Sequence, residues 1–336
     1  MRAGLVGYAP GVLKLEPIAL DLEEGAHFCG VAFTPDSRTL VVGQLARPTP
    51  LRTLSAWDTA SWRRRWTVPT PDAPIAVAVA RDGPWIATAH NTQVWLWDVD
   101  SGARLRTLGD RGTLWAPLTT LPGERVLVSF RPEGQPASLS IWDARSGTPL
   151  AYPASFAGDD FVSSFAVDPS AERVATFARG SLALWDLVSD RKLHDFGGAV
   201  GTFPYPSARM PIVFHPAGDR VIAGGIFTEE GPVVFDAATG HKIVTLHNTR
   251  SPTGASALAV SPCGRWLVGA FGWQEGDHQE WKDLGLRIWD LEKRTRLERI
   301  RMDGRPIEHL VFSPDGSVLA ASSIDRLDVW RARTDP

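Results

Sequence analysis

Phe312-Ser-Pro-Asp-Gly316, followed by an apolar run over Arg326–Trp330, is the last instance of a unit that occurs seven times along the chain. In the other six, the turn-forming half reads Phe33-Thr-Pro-Asp36, Val79-Ala-Arg-Asp-Gly83, Thr120-Leu-Pro-Gly123, Val167-Asp-Pro-Ser170, Phe214-His-Pro-Ala-Gly218 and Val260-Ser-Pro-Cys-Gly264. The second half ends at Trp57-Asp58, Trp97-Asp98, Trp142-Asp143, Trp185-Asp186, Phe235-Asp236, Trp289-Asp290 and, in the last unit, Trp330-Arg331. Successive endings lie 40 to 54 residues apart. A period of that size with a Trp-Asp ending marks a repeating structural unit that cannot bury its apolar faces alone.

Each unit carries four short runs of β-type residues. In the second they are Ile75–Ala80, Trp85–Ala89, Gln93–Trp97 and Arg104–Leu108. Val, Ile, Leu and Trp dominate these runs, and Pro, Gly, Asp and Ser bound them. Pro-Asp-Gly segments suit a tight turn, because Pro presets φ and Gly accepts positive φ. Asp98-Val-Asp-Ser-Gly102 and Asp143-Ala-Arg-Ser-Gly147 supply the next turn, whereas the fourth unit has Asp190 where those glycines fall. No longer stretch carries a helical period. The expected fold is all-β: a seven-bladed β-propeller of four-stranded antiparallel blades, one domain over residues 1–336.

The last unit stops at its third run. An N-terminal strand near residues 16–21, Glu16-Pro-Ile-Ala-Leu-Asp21, is expected to pair with the C-terminal segment and complete a blade formed by about 307–331. An open ring would leave unpaired backbone and an exposed apolar face, and pairing the termini removes both. Deletion of residues 1–22 is therefore expected to give an aggregating or poorly folded protein.

The chain resembles the WD-repeat β-propeller family from about residue 12 to 331, on the alternation of Phe-Ser-Pro-Asp-Gly and Leu-Trp-Asp type motifs. That resemblance implies a fold and leaves the activity open. The family often carries a Gly-His pair before the inner strand and a His/Ser/Trp/Asp hydrogen-bond network within each blade. No Gly-His pair stands before an inner-strand run; Gly240-His241 falls instead between the third and fourth runs of the fifth unit. Asp325 matches the family's Asp position, but its network is expected to be incomplete, so blade rigidity should come mainly from apolar packing.

A net charge of −3 gives no global attraction to nucleic acid or anionic membrane. Cys29 and Cys263 fall in distant units and are expected to be free, buried thiols. No segment approaches the length of a membrane span, and the start of the chain is poor for a signal peptide, so a cytoplasmic protein is expected.

Of the 14 Trp residues, six end blades and are expected in the core; Trp66, Trp85, Trp95 and Trp266 also sit in strand runs. Trp62, Trp115, Trp273 and Trp281 remain. Trp273 and Trp281 flank an insertion between the second and third strands of the sixth unit, residues 272–285. The fifth unit has long connections on the same rim, with Phe203 and Tyr205 in one and Phe227, Glu229 and Glu230 in another. Phe203, Tyr205, Phe227, Trp273 and Trp281 could crowd one sector as apolar anchors, with Glu229, Glu230, Glu275 and Asp277 setting the charge preference. Such a site suits a basic protein or peptide partner. The competing reading is that long loops fold their own aromatics down as local caps.

Trp62-Arg-Arg-Arg-Trp66 has the look of a nucleic-acid stacking site. Its place on an outermost strand, like that of Arg294, Arg296, Arg299 and Arg301, points instead to edge protection. Cys-x-x-Cys, His-Glu-x-x-His and Gly-x-Ser-x-Gly are absent, so no catalytic residues, metal or other cofactor are expected. His27, Asp159, Asp160, Glu308 and His309 fall near the mouth of the central channel. His27 lies six residues before Phe33 and His309 three before Phe312, which in regular strands puts them on opposite faces about 10 Å apart. The expectation is a non-catalytic interaction scaffold, monomeric on its own and binding neither nucleic acid nor membrane. The alternatives are a channel-mouth enzyme or ligand binder using His27, Asp160, Glu308 and His309, and a structural subunit of a larger complex.

Overall fold

A computed structural model describes residues 13–20, 26–46, 51–109, 112–132, 138–151, 162–178, 180–197, 210–224, 231–247, 254–274 and 281–334. Within them the repeat forms seven antiparallel sheets of four strands each. The inner strands are Ala26–Phe33, Ala76–Val79, Gly112–Leu121, Ser164–Val167, Ile212–Phe214, Ala257–Val260 and His309–Phe312. Each touches the inner strands of the two neighbouring blades, and the first touches the last, so the blades close a ring around a channel.

Alternation along the strands explains how the ring is held. In the second strand of blade 1, Leu40 and Val42 join a buried cluster with Val318, Ala320 and Val329 of blade 7. Val41, between them, joins one with Ile86 and Trp97 of blade 2. Successive side chains point to opposite sheet faces. Both faces are buried here, so the strand reads as a continuous apolar run. Among the described residues every junction between adjacent blades holds one such cluster. The Trp residues that end the blades sit in them: Trp57, Trp97, Trp142, Trp289 and Trp330 are buried, and Trp185 is half-buried. Burying about 150 Å² of indole contributes roughly 4 kcal/mol.

The closing sheet runs in the order Leu13–Ile18, Leu327–Thr334, Val318–Ser322, His309–Phe312. Leu13 pairs with Thr334 and Ile18 with Val329, antiparallel. Terminal pairing is thus as expected, but the strand begins three residues earlier than Glu16 and the third strand runs on past Trp330. Leu13 is the reason: it is 2% exposed and packs with Trp266, Ile288, Trp330 and Ala332 across the junction of blades 6 and 7.

The turn from third to outer strand has one fixed requirement, a residue in the left-handed region four positions after the Asp. Gly102, Gly147 and Gly240 meet it, and so do Trp62, Asp190 and Arg294, with φ between 55° and 57°. The Asp itself caps the turn. Asp58, Asp98, Asp143, Asp186 and Asp236 each accept the backbone N–H three residues on. The Ser61 and Ser101 hydroxyls first, then the backbone N–H groups, hold Asp58 and Asp98 below the ordinary Asp range; for Asp143, Asp186 and Asp236 the backbone N–H leads and the hydroxyl of the same residue adds to it.

Several cations of the outer strands have partners in the blades they edge. Arg64 stacks on Trp57 at 5.0 Å, Arg104 on Trp95 at 4.6 Å, and Lys192 on Trp185 at 5.0 Å. Arg65 donates to Thr39 Oγ1 over 2.8 Å. Cys29 and Cys263 are free as expected, but neither is fully buried: Cys29 is half-buried on the inner strand of blade 1, and Cys263 sits exposed in the turn of blade 6.

Candidate binding rim

Antiparallel blades put the connections from outer to inner strand, and from second to third, on one rim. The channel opens there. Its upper part is a cavity of about 260 Å³ lined mainly by apolar side chains, with Ser163, Ser164, Ser256, Glu308 and His309 as polar groups. The lower part holds about 570 Å³. Across its far end Arg81 of blade 2 donates to the carbonyl oxygen of Pro169 in blade 4 over 3.1 Å.

Two irregularities shape the mouth. The inner strand of blade 3 shifts register between Trp115 and Leu118, which places Pro117 on the cavity wall. That of blade 1 shifts between Phe28 and Gly30, leaving Cys29 as an extra residue. Burial, and then the negative charge of Glu308, push the Cys29 thiol up to about 11, so it is a protonated thiol at neutral pH. The bulge also corrects the separation expected for two histidines. His27 pairs with Leu45 and His309 with Ser322, which leaves them two register steps apart rather than three. They are about 7 Å apart along the strands, and an even step removes the opposite-face argument. Asp159 and Asp160 lie outside the described residues. Among the described residues no three His, Cys, Asp or Glu side chains are grouped to hold a metal.

Blade 6 carries the most prominent feature of this rim. Its second and third strands, Trp266–Gln274 and Trp281–Asp290, stay paired beyond Ala270, the partner of the first inner-strand residue Ala257. The ladder continues through Phe271 with Gly285, Trp273 with Lys282 and Gln274 with Trp281. Four residues at 3.4 Å each lift this arm about 14 Å past the blade body. At its root Gly285 is required, because a Cβ there would run into the carbonyl oxygen of Ile300 on the outer strand. Inside the base, Arg287 is buried and stacks on Phe271 at 4.3 Å.

Of the nine residues expected to bind a partner, Trp273 and Trp281 have described backbone, at the two sides of this arm. Phe203, Tyr205, Phe227, Glu229, Glu230, Glu275 and Asp277 lie outside the described residues.

Sequence reading missed a polar chain in blade 2. Trp97 Nε1 donates to Thr88 Oγ1 over 2.8 Å, Thr88 Oγ1 lies 2.8 Å from His90 Nε2, and His90 Nδ1 lies 3.0 Å from the carbonyl oxygen of Asp72. These distances assemble into one direction of donation if His90 is neutral with its proton on Nδ1. Burial pushes the imidazole down to about 4, which agrees. His90 follows the second strand rather than preceding the inner one, so the lack of Gly-His before the inner strands was no guide. Blade 4 keeps half of this arrangement, with Trp185 Nε1 donating to Thr176 Oγ1 at 2.9 Å. Val42, Val128, Ala223, Gly269 and Ala321 occupy the matching second-strand positions of the other blades, where no hydroxyl is available.

No protein-family model matches the chain, and no curated protein matches it either. Among the described residues no helix is long and apolar enough to cross a membrane.

Proposed function

We propose that this protein is a non-catalytic, cytoplasmic scaffold of the WD-repeat kind, which binds a protein or peptide partner on the rim where the channel opens. The paired arm of blade 6 carries the reading. It holds two Trp positions on opposite sides of one hairpin, above a ring whose junctions are rigidly packed. Rigid presentation of large aromatic side chains is how interfaces gain affinity at low ordering cost. The acidic residues Glu229 and Glu230 of the fifth unit, with Glu275 and Asp277 of the insertion itself, favour a partner with Arg or Lys. The test is affinity capture from the native host with the wild type and with a Trp273→Ala, Trp281→Ala double variant. Loss of the main partner with unchanged thermal unfolding supports the reading, and retained capture dismisses it.

A second reading, a small-ligand site at the channel mouth, is favoured by the 260 Å³ cavity with Glu308 and His309 on its wall. A stoichiometric metal or small molecule in the purified protein supports this reading over the first.

A further inference from the structure

We infer a second docking surface, on the opposite face of the ring, for an acidic peptide segment punctuated by apolar residues. Its place is the seam where blade 7 meets blade 1. A cleft of about 230 Å³ opens there, lined by Ile18, Thr59, Trp62, Val318, Arg331 and Arg333 among others.

The seam departs from an arrangement that recurs at three other junctions. At each of these the left-handed glycine of a turn receives a bulky side chain from the preceding blade's outer strand. Trp66 lies against Gly102 and His194 against Gly240, each too close to leave space for a Cβ, and Arg106 packs against Gly147. In the seam the arrangement is inverted. The turn residue is Trp62, at φ 57°, and the outer-strand side chain facing it is Ile18. Holding a bulky residue in that region is strained. The indole lies half-buried on the apolar cluster of Val318 and Val329 and leaves the cleft beside it.

The charge of the seam is inverted too. Six blades place an Asp at the end of the third strand to cap the turn that follows. Blade 7 has no such turn, because its outer strand comes from the other end of the chain, and Arg331 stands in that place. Arg331 and Arg333 alternate with buried Ala332, so both project from the face that carries Val329 into the core. Among the described residues Arg331 makes no ion pair. Arg333 approaches Glu16 at 3.8 Å, with both side chains more than half exposed, an interaction an incoming carboxylate can displace. An indole beside two guanidinium groups recognises a carboxylate next to an apolar side chain.

A displayed library of random octapeptides selects binders on the wild-type protein, with counter-selection on the Arg331→Gln, Arg333→Gln double variant. We expect enriched sequences with Asp or Glu beside Phe, Leu, Ile or Met. Their affinity, read by fluorescence anisotropy, should fall at least tenfold in the double variant and in Trp62→Gly. Trp62→Gly supplies the glycine that three other blades use and so retains the fold. Binding should persist in Trp273→Ala, Trp281→Ala, which separates this surface from the rim arm. The proposal is overturned if no peptide distinguishes wild type from the double variant, or if the enriched peptides are basic. It is also overturned if the seam variants abolish a dimer instead, or if binding appears only after removal of residues 1–12.

Discussion

Thr88 Oγ1 receives the indole N–H of Trp97 at 2.8 Å and stands between that buried ring and His90. One hydroxyl therefore satisfies two polar groups that are each no more than 3% exposed.

Thr88→Val keeps the shape and removes both hydrogen bonds. Leaving buried polar groups unpaired costs about 2 kcal/mol. Urea unfolding should show that loss, and a smaller one for Thr176→Val, where Trp185 is half-buried.

His90 makes stability depend on pH in a defined window. Its folded pKa lies near 4 against an ordinary 6.5, so between those values the unfolded chain binds the extra proton. Stability should fall as pH drops from about 6.5 to 4, by up to about 3 kcal/mol. His90→Gln should flatten that segment of the profile. Below it a second loss is expected. The turn carboxylates Asp58, Asp98, Asp143, Asp186 and Asp236 have lowered folded pKa values, so their contribution is complete above the ordinary Asp range and disappears as pH falls through those values.

Gly285→Ala forces a methyl group into the carbonyl of Ile300. Overpacking of this kind costs about 1–3 kcal/mol. The strain falls where the outer strand meets the arm, so amide exchange should accelerate first at Leu284, Leu286 and Ile300. Uniform acceleration through all blades would contradict the local account.

Removal of residues 1–18 takes away the strand paired with Leu327–Thr334 and exposes Trp330, Ala332 and the blade 6 residues beneath Leu13. Size-exclusion chromatography should show aggregation. A soluble monomer with unchanged unfolding would mean that the ring does not need this strand.

The fold was legible because its signals are local and repeated. Trp or Phe followed by Asp ended six of the third strands, and Pro-Asp-Gly turns spaced the first two. Where the sequence misled, a long-range partner had overruled a local preference. The N-terminal strand slid to bring Leu13 under Trp330. Trp62, Asp190 and Arg294 took a backbone conformation that their side chains oppose, because the turn geometry demands it. The bulge at Cys29 could not be seen from spacing, and it undid the argument about His27 and His309. The candidate rim was only partly legible: length alone singled out residues 272–285, while the pairing that makes an arm of them depends on a glycine facing a particular carbonyl.

The blade that locks the circle joins the first described strand to the last, so one of its edges is made long before the other. During translation the finished junctions can assemble in turn, yet Leu327–Thr334 must clear the ribosome before its mate finds a place. Until then the growing chain exposes raw apolar flanks at two ends, the surfaces that later form the two junctions of the closing blade.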